Sequence, residues 1–171
     1  MRWQIGAIEV QEALRTIHIF FDVLTADQLN ELAHECVPQS FDAGEVLMRQ
    51  GDPSNSMFCI VEGTVSVSAL GPRNHDREIF RLSAGTTVGE MELLTGEPRL
   101  ATVTALTELR LLEISRAEFE SLLRRSPELR DSFGAALARR QAIRTSKVPD
   151  AKTGFGARLL GKIRNVFRLG A

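Results

Sequence analysis

Cysteine is scarce in this chain of 171 residues: there are two, Cys36 and Cys59, in apolar surroundings and without CxxC spacing. Such a pair reads as buried, reduced thiols of a cytosolic protein rather than as a disulfide framework. Histidine is nearly as rare. His18 and His34 fall in helical segments and His75 in a loop, so the clustered His and carboxylate ligands of a metal-dependent β-roll enzyme are missing. No serine or cysteine has a histidine in plausible strand context either, and catalysis is not expected. Long apolar runs are also lacking: none approaches the roughly 18–20 residues that span a bilayer. Met1-Arg2-Trp3-Gln4-Ile5-Gly6 has no uninterrupted apolar stretch and Glu9 and Glu12 follow early, so no signal peptide is expected. Nor is there an excess of one charge. With 21 basic and 22 acidic residues the net charge is -1, which argues against a generic nucleic-acid binder. What remains, 43% hydrophobic and 25% charged residues, suits one compact domain with a true core, or one domain plus a tail.

The first part of the chain, 1–36, reads helical. Ile5, Ile8, Glu12 and Arg15 give a loose amphipathic pattern. Thr25-Ala26-Asp27-Gln28 is a capping box, followed at helical spacing by Leu29, Leu32, Ala33 and Cys36, with Pro38 closing the segment. From 37 to 115 short Val-, Ile- and Phe-rich runs alternate with turns at Gly44, Gly51, Gly63, Gly71 and Gly85. Met57 to Val61, then Glu62-Gly63, then Val65, Val67 and Ala69 alternating with Thr64, Ser66 and Ser68, predict a hairpin with one buried face. Ile79–Leu82, Ala101–Ala105 and Leu109–Ile114 predict further strands. Helix returns over 116–145. Ser115-Arg116-Ala117-Glu118 is a second capping box, and Ser126-Pro127 opens another helix whose stripe is Leu129, Phe133, Ala136, Leu137 and Arg140. Residues 146–154 read as a linker and 155–171 as a basic amphipathic tail. The expected fold is α+β: an antiparallel, jelly-roll-like β-roll flanked by N-terminal helices and C-terminal lid helices.

One stretch, 88–103, stands apart chemically. Gly89 lets backbone approach a ligand closely. Glu90 to Leu94 can make one helical turn ended by Gly96, whose leading N–H groups suit an anion. Pro98 stiffens the return, and Arg99 is aimed back from the start of a strand. A guanidinium facing backbone N–H groups suits a phosphate, and the carboxylate of Glu90 beside it can accept hydrogen bonds from sugar hydroxyls. Phosphate beside ribose means a nucleotide. The plainer reading of the same two residues is an ion pair at a strand end.

Several motifs agree in order with a known family. Gly44-Glu45-Val46-Leu47, Arg49-Gln50-Gly51-Asp52, Ile60-Val61-Glu62-Gly63-Thr64-Val65, Gly89-Glu90-Met91, Pro98-Arg99 and Ala101-Thr102-Val103 make the chain resemble cyclic nucleotide-binding domains over about 20–140. The resemblance implies a β-roll that holds cAMP or cGMP in a phosphate-binding cassette, without cofactor or metal. By matched position, Glu90 would take the ribose 2'-hydroxyl and Arg99 the cyclic phosphate. Gly89, Met91 and the Leu100 backbone would line that phosphate, and the last helix would close as a lid with Arg139 or Arg140, preferably Arg140, nearest the purine. Gly89 to Arg99 and the closing Ile163 to Leu169 look most like the C-terminal regulatory domains of bacterial cyclic-nucleotide-gated and mechanosensitive-type channels.

Two residues depart from the family pattern. Glu92 stands where a small residue is usual, and a carboxylate there would repel or replace the phosphate. Leu100 stands where Ala, Ser or Thr is usual. A hydroxyl lost to a charged phosphate costs about 1.5–3 kcal/mol, and without a threonine cAMP is favoured over cGMP. The alternative is a degenerate pocket that keeps the fold and works through protein or membrane contacts. The tail 151–171 carries Lys152, Arg158, Lys162, Arg164 and Arg168 and no acidic residue. Its apolar face, Phe155, Leu159, Ile163, Val166 and Phe167, suits an anionic membrane surface, a partner protein, its own domain or a second copy. The expected location is cytoplasmic, with the inner membrane face open to 155–169. No DNA-binding module is expected in the roughly thirty residues after Arg140.

Overall fold

In the computed structural model the described residues are 3–21, 23–70, 76–127, 129–131, 133–135 and 138. Three helices come first: α1 (Ala7–Arg15), α2 (His18–Phe21) and α3 (Ala26–Glu35). The capping box forms as the sequence predicts: the Thr25 hydroxyl accepts from the Gln28 N–H at 3.3 Å, and the Gln28 side chain accepts from the Thr25 N–H at 2.9 Å. Leu29, Leu32 and Ala33 are the buried face of α3. The face of α1 differs from the expectation. Val10, Ala13 and Leu14 are buried, whereas Ile8 is 77% exposed. The tighter triplet at spacings of three and one lies against α3, and a stripe drawn through Ile8 points to solvent.

Eight strands follow among the described residues: β1 (Val37–Phe41), β2 (Val46–Met48), β3 (Ser56–Glu62), β4 (Thr64–Leu70), β5 (Asp76–Ser83), β6 (Thr87–Val88), β7 (Thr102–Ala105) and β8 (Leu109–Ser115). They form two antiparallel four-stranded sheets in the orders β1-β8-β3-β6 and β2-β7-β4-β5. This is the expected jelly-roll-like architecture. Pro38 sits in β1, an edge strand, where a missing N–H breaks no central ladder.

The two sheets differ in how they are covered, and the sequence explains why. Met57 to Ile60 of β3 and Leu109 to Ile114 of β8 are close to unbroken apolar runs, and such strands are buried on both faces. Phe58, Ile60, Leu109 and Leu111 face the second sheet, while Met57, Cys59, Leu112 and Ile114 face the helices. In β4, Val65, Val67 and Ala69 are buried and the intervening Thr and Ser half-buried, so one face suffices. Each fully buried aliphatic or aromatic side chain contributes about 1.5–3 kcal/mol.

The hairpin expected between β3 and β4 does not form. The alternation within β4 is as expected, but β3 and β4 lie in different sheets, and β4 pairs with β5 and β7 instead. Gly63, at φ +94°, turns the chain from one sheet into the other. A Cβ there would strike the carbonyl oxygen of Glu108, so only glycine fits the corner. The short strands β2 and β6 have too few residues to show a period of two, and the sequence did not reveal them.

After β8 the second capping box, Ser115 with Glu118, starts α5 (Arg116–Arg125), which buries Phe119, Leu122 and Leu123. The chain is helical again at every described position from 127 to 138. Leu129 and Phe133 are buried there, and the Phe133 ring lies 4.9 Å from that of Phe119 and 6.0 Å from that of Phe20. The remaining stripe members Ala136, Leu137 and Arg140, the linker 146–154 and the tail 155–171 lie outside the described residues.

Candidate functional site

Val88 ends β6 and Gly89 turns the chain into a short helix, α4 (Glu90–Thr95), within the segment 88–103. Gly89 is left-handed at φ +80°, as is Gly96 at φ +72°, which ends the helix with its N–H on the Glu92 carbonyl at 2.9 Å. Gly89 also has no room for a side chain, since a Cβ would strike Nη1 of Arg99. Glycine is required there by both conformation and contact.

The segment gathers charge. Among the described residues the buried charged side chains are Glu90, Glu92 and Arg99, at 2%, 7% and 5% exposure, all between Gly89 and Leu100. Arg99 reaches back as its spacing predicts: Nη1 donates to the Gly89 carbonyl at 3.3 Å and Nη2 to the Ser56 carbonyl at 2.6 Å. Burial pulls its guanidinium below the ordinary arginine value, and Glu92, Glu113 and Glu90 oppose that pull. A buried charge holds its place only when such partners compensate its lost hydration.

The backbone of Arg99 is fixed as firmly. Its N–H donates to the Asp52 carbonyl and its carbonyl accepts from the Gly51 N–H, each at 2.8 Å, while Thr102 Oγ1 accepts from the Gln50 N–H at 3.0 Å. Arg49-Gln50-Gly51-Asp52 therefore frames the arginine, a link between two motifs that spacing alone does not reveal.

Glu92 is the residue whose place changes the reading most. Its Oε1 accepts from the Leu100 N–H at 3.0 Å. Burial pushes its carboxyl above the ordinary glutamate range; the Leu100 hydrogen bond and Arg99 act the other way, and Glu90 adds to the rise. The Leu100 N–H, expected to line a phosphate, is thus engaged by a carboxylate of the same segment. The Leu100 side chain is half-buried against the helical core, and Met91, 4% exposed, packs into that core too.

One contributor was missed from sequence. Arg116, the first residue of α5, donates to the carbonyls of Leu93 at 2.9 Å, Glu92 at 3.1 Å and Ser54 at 2.8 Å. It closes the C-terminal end of α4 and ties it to the start of α5. Its position in a capping box gave no hint of this reach. The Ser54 hydroxyl beside it is buried and has no hydrogen-bond partner among the described residues.

Gly89, Glu90, Met91, Arg99 and Leu100 are thus brought together in one cassette; Arg139 and Arg140 lie outside the described residues. No group of His, Cys, Asp and Glu able to hold a metal ion occurs among the described residues. Nor is any helix among them long and apolar enough to cross a membrane. Cys59 is buried as expected but Cys36 is only half-buried. Burial, with Glu118 and Glu35 adding to it, raises the Cys36 thiol to about 12, which disfavours its thiolate at neutral pH.

Comparison with known proteins identifies the family and the fold. The sequence profile of the family described as cyclic nucleotide-binding domain matches residues 38–126. A cyclic nucleotide-gated potassium channel of Mesorhizobium japonicum is 39% identical over 123 residues, 71% of this chain and 33% of the channel. The chain spans about a third of the length of the first curated relatives it matches. The regulatory domain of Toxoplasma gondii PKA, crystallised with cAMP, is 25% identical with a TM-score of 0.65, over 68% of this chain and 45% of that one. A cyclic nucleotide-binding domain from Methylobacillus flagellatus has the same fold at a TM-score of 0.74 and 22% identity, over 87% and 88% of the two chains.

Proposed function

The chain belongs to the cyclic nucleotide-binding domain family, and on that premise we propose that it is a regulatory sensor that binds cAMP in preference to cGMP. The observation that carries this reading is the buried Arg99 guanidinium, held against the Gly89 carbonyl beside buried Glu90. A charge kept out of water by backbone carbonyls, in a glycine-built turn, suits a partner that is small and anionic. In this reading Arg99 takes the cyclic phosphate and Glu90 accepts from the ribose 2'-hydroxyl. Gly89, Met91 and the Leu100 backbone line the phosphate, and Arg140 or Arg139 meets the purine. Leu100 supplies no hydroxyl for guanine, which favours cAMP. The module is not an enzyme; it reports its ligand through the helix that begins at Pro127. The ligand shifts the population toward a closed lid only by its differential affinity for that state.

The channel relative supports a role as the cytoplasmic regulatory module of a bacterial channel or similar signalling protein. The basic tail over 155–169 would meet the inner membrane face, a partner protein or a second copy. By the sequence pattern the units of the module would be the helical segment 1–36, the roll 37–115, the lid helices 116–145, the linker 146–154 and the tail 155–171. A second reading, a pocket that no longer takes a ligand, draws on one observation, the Glu92 carboxylate on the Leu100 N–H. Calorimetric titration with cAMP, cGMP and AMP separates the two. Saturable binding of a cyclic nucleotide with none for AMP is expected. Absence of heat for all three from folded protein would leave the ligand-free reading.

A further inference from the structure

The Glu92 carboxylate holds a backbone donor that the sensor reading assigns to the cyclic phosphate. Its side chain is 7% exposed, its Oε1 holds the Leu100 N–H at 3.0 Å, and it attracts the buried guanidinium of Arg99. These are the two kinds of group, one backbone donor and one cation, that the sensor reading assigns to the ligand. We propose that Glu92 is a built-in competitor of the cyclic phosphate, so that ligand binding requires this carboxylate to take up a proton or swing away, and affinity rises as pH falls. The inference rests on the sensor reading above and adds to it the residue that sets affinity and its pH dependence.

The charges around Glu92 argue for proton uptake. Arg99 is the cation on the following loop, and Glu90 is a like charge two residues earlier on α4. From α5, Arg116 donates to the Glu92 backbone carbonyl rather than to the carboxylate, and from β8, Glu113 acts on Arg99. Ser54 and Ser56, on the β3 side, bring no titratable group. A cyclic phosphodiester arriving at Arg99 adds a permanent anion beside the titratable carboxylate in a buried place. Two anions that share one site raise the proton affinity of the weaker acid, which is the carboxyl. Burial already inclines Glu92 that way.

The test is titration of the full chain with cAMP at about pH 8 and about pH 5.5, both above the ordinary glutamate value of about 4.3. It uses the wild type, Glu92→Gln and Glu92→Ala, each in two buffers of different ionisation enthalpy. Glu92→Gln keeps an acceptor for the Leu100 N–H and protects the fold; Glu92→Ala leaves that N–H to the ligand. At the higher pH both variants are expected to bind at least about tenfold tighter than wild type. Wild type should close most of that gap at the lower pH and take up protons on binding, while Glu92→Gln takes up none. Variants that bind like wild type, or more weakly, would make Glu92 a structural cap and overturn the inference while the sensor stands. A flat wild-type pH profile would equally overturn it. If none of the three folded proteins binds at either pH, the sensor reading falls and takes this inference with it.

Discussion

The space between the two sheets and the segment from Gly89 to Leu100 are both buried, yet they are built on opposite principles. Between the sheets lie Met48, Phe58, Ile60, Val65, Val67, Leu109 and Leu111, apolar side chains that need only to exclude water. The cassette instead buries Glu90, Glu92 and Arg99 within the ten positions 90–99 and secures Glu92 and Arg99 with a backbone N–H and backbone carbonyls. Apolar packing stabilises without direction, and many residues of suitable volume would serve. Buried charge stabilises little in itself and is costly when a partner is lost. The contrast separates frame from cassette: the cassette carries an electrostatic cost that the frame does not, which is what the proposed ligand site would require.

Substitutions should expose that difference. The largest effect is expected from Arg99→Ala, which takes the charged donor from the Gly89 and Ser56 carbonyls and removes the buried cation that attracts Glu92 and Glu90; about 3–5 kcal/mol of stability should be lost in chemical denaturation, together with cyclic-nucleotide binding. Leu111→Ala in the frame should cost about 3 kcal/mol through its cavity. The folded variant should nevertheless keep its affinity, as a titration well below its melting temperature would show. A Leu111→Ala variant that loses binding without unfolding would break the distinction. Arg116→Ala should cost about 1–2 kcal/mol, since three carbonyls lose a charged donor. It should also weaken coupling between α4 and α5, visible as faster amide exchange at Leu93 to Gly96.

The smallest effect is on pH-dependent stability. Burial raises the Glu92 carboxyl in the folded state, so the folded protein binds this proton more tightly than the unfolded chain does. Its contribution to stability is therefore fully present below the ordinary glutamate range and is lost as pH rises through the raised folded value. Glu92→Gln should remove that loss, so its melting temperature should exceed that of wild type most at neutral pH and least in acid. An equal difference at all pH values would mean that the carboxylate is not disfavoured by its burial.

Much of the frame was legible from sequence because its signals are local. Thr25 with Gln28 and Ser115 with Glu118 place two helix starts within four residues each, and the two-residue period of Val65, Val67 and Ala69 gives the buried face of β4. The partner of β4 was not legible. A glycine between two strands reads equally as a hairpin turn or as a corner between sheets, and only the Glu108 carbonyl packed against Gly63 decides it. The cassette was legible in its residues, from Gly89 and Glu90 to Arg99, because the turn glycines and the arginine are close in sequence. Its supports were not: Ser56, Asp52 and Arg116 reach the cassette across more than fifteen positions of chain. Glu92 was visible as a departure from the family pattern, but its hydrogen bond to Leu100 depends on how the loop after α4 returns.

The most direct measurement is a paired calorimetric titration of wild type and Arg99→Ala with cAMP, both shown to be folded by circular dichroism. Saturable single-site binding by wild type and none by Arg99→Ala is the predicted result. Equal binding by the two proteins would contradict the role of the buried arginine, and no binding by folded wild type would contradict the sensor itself.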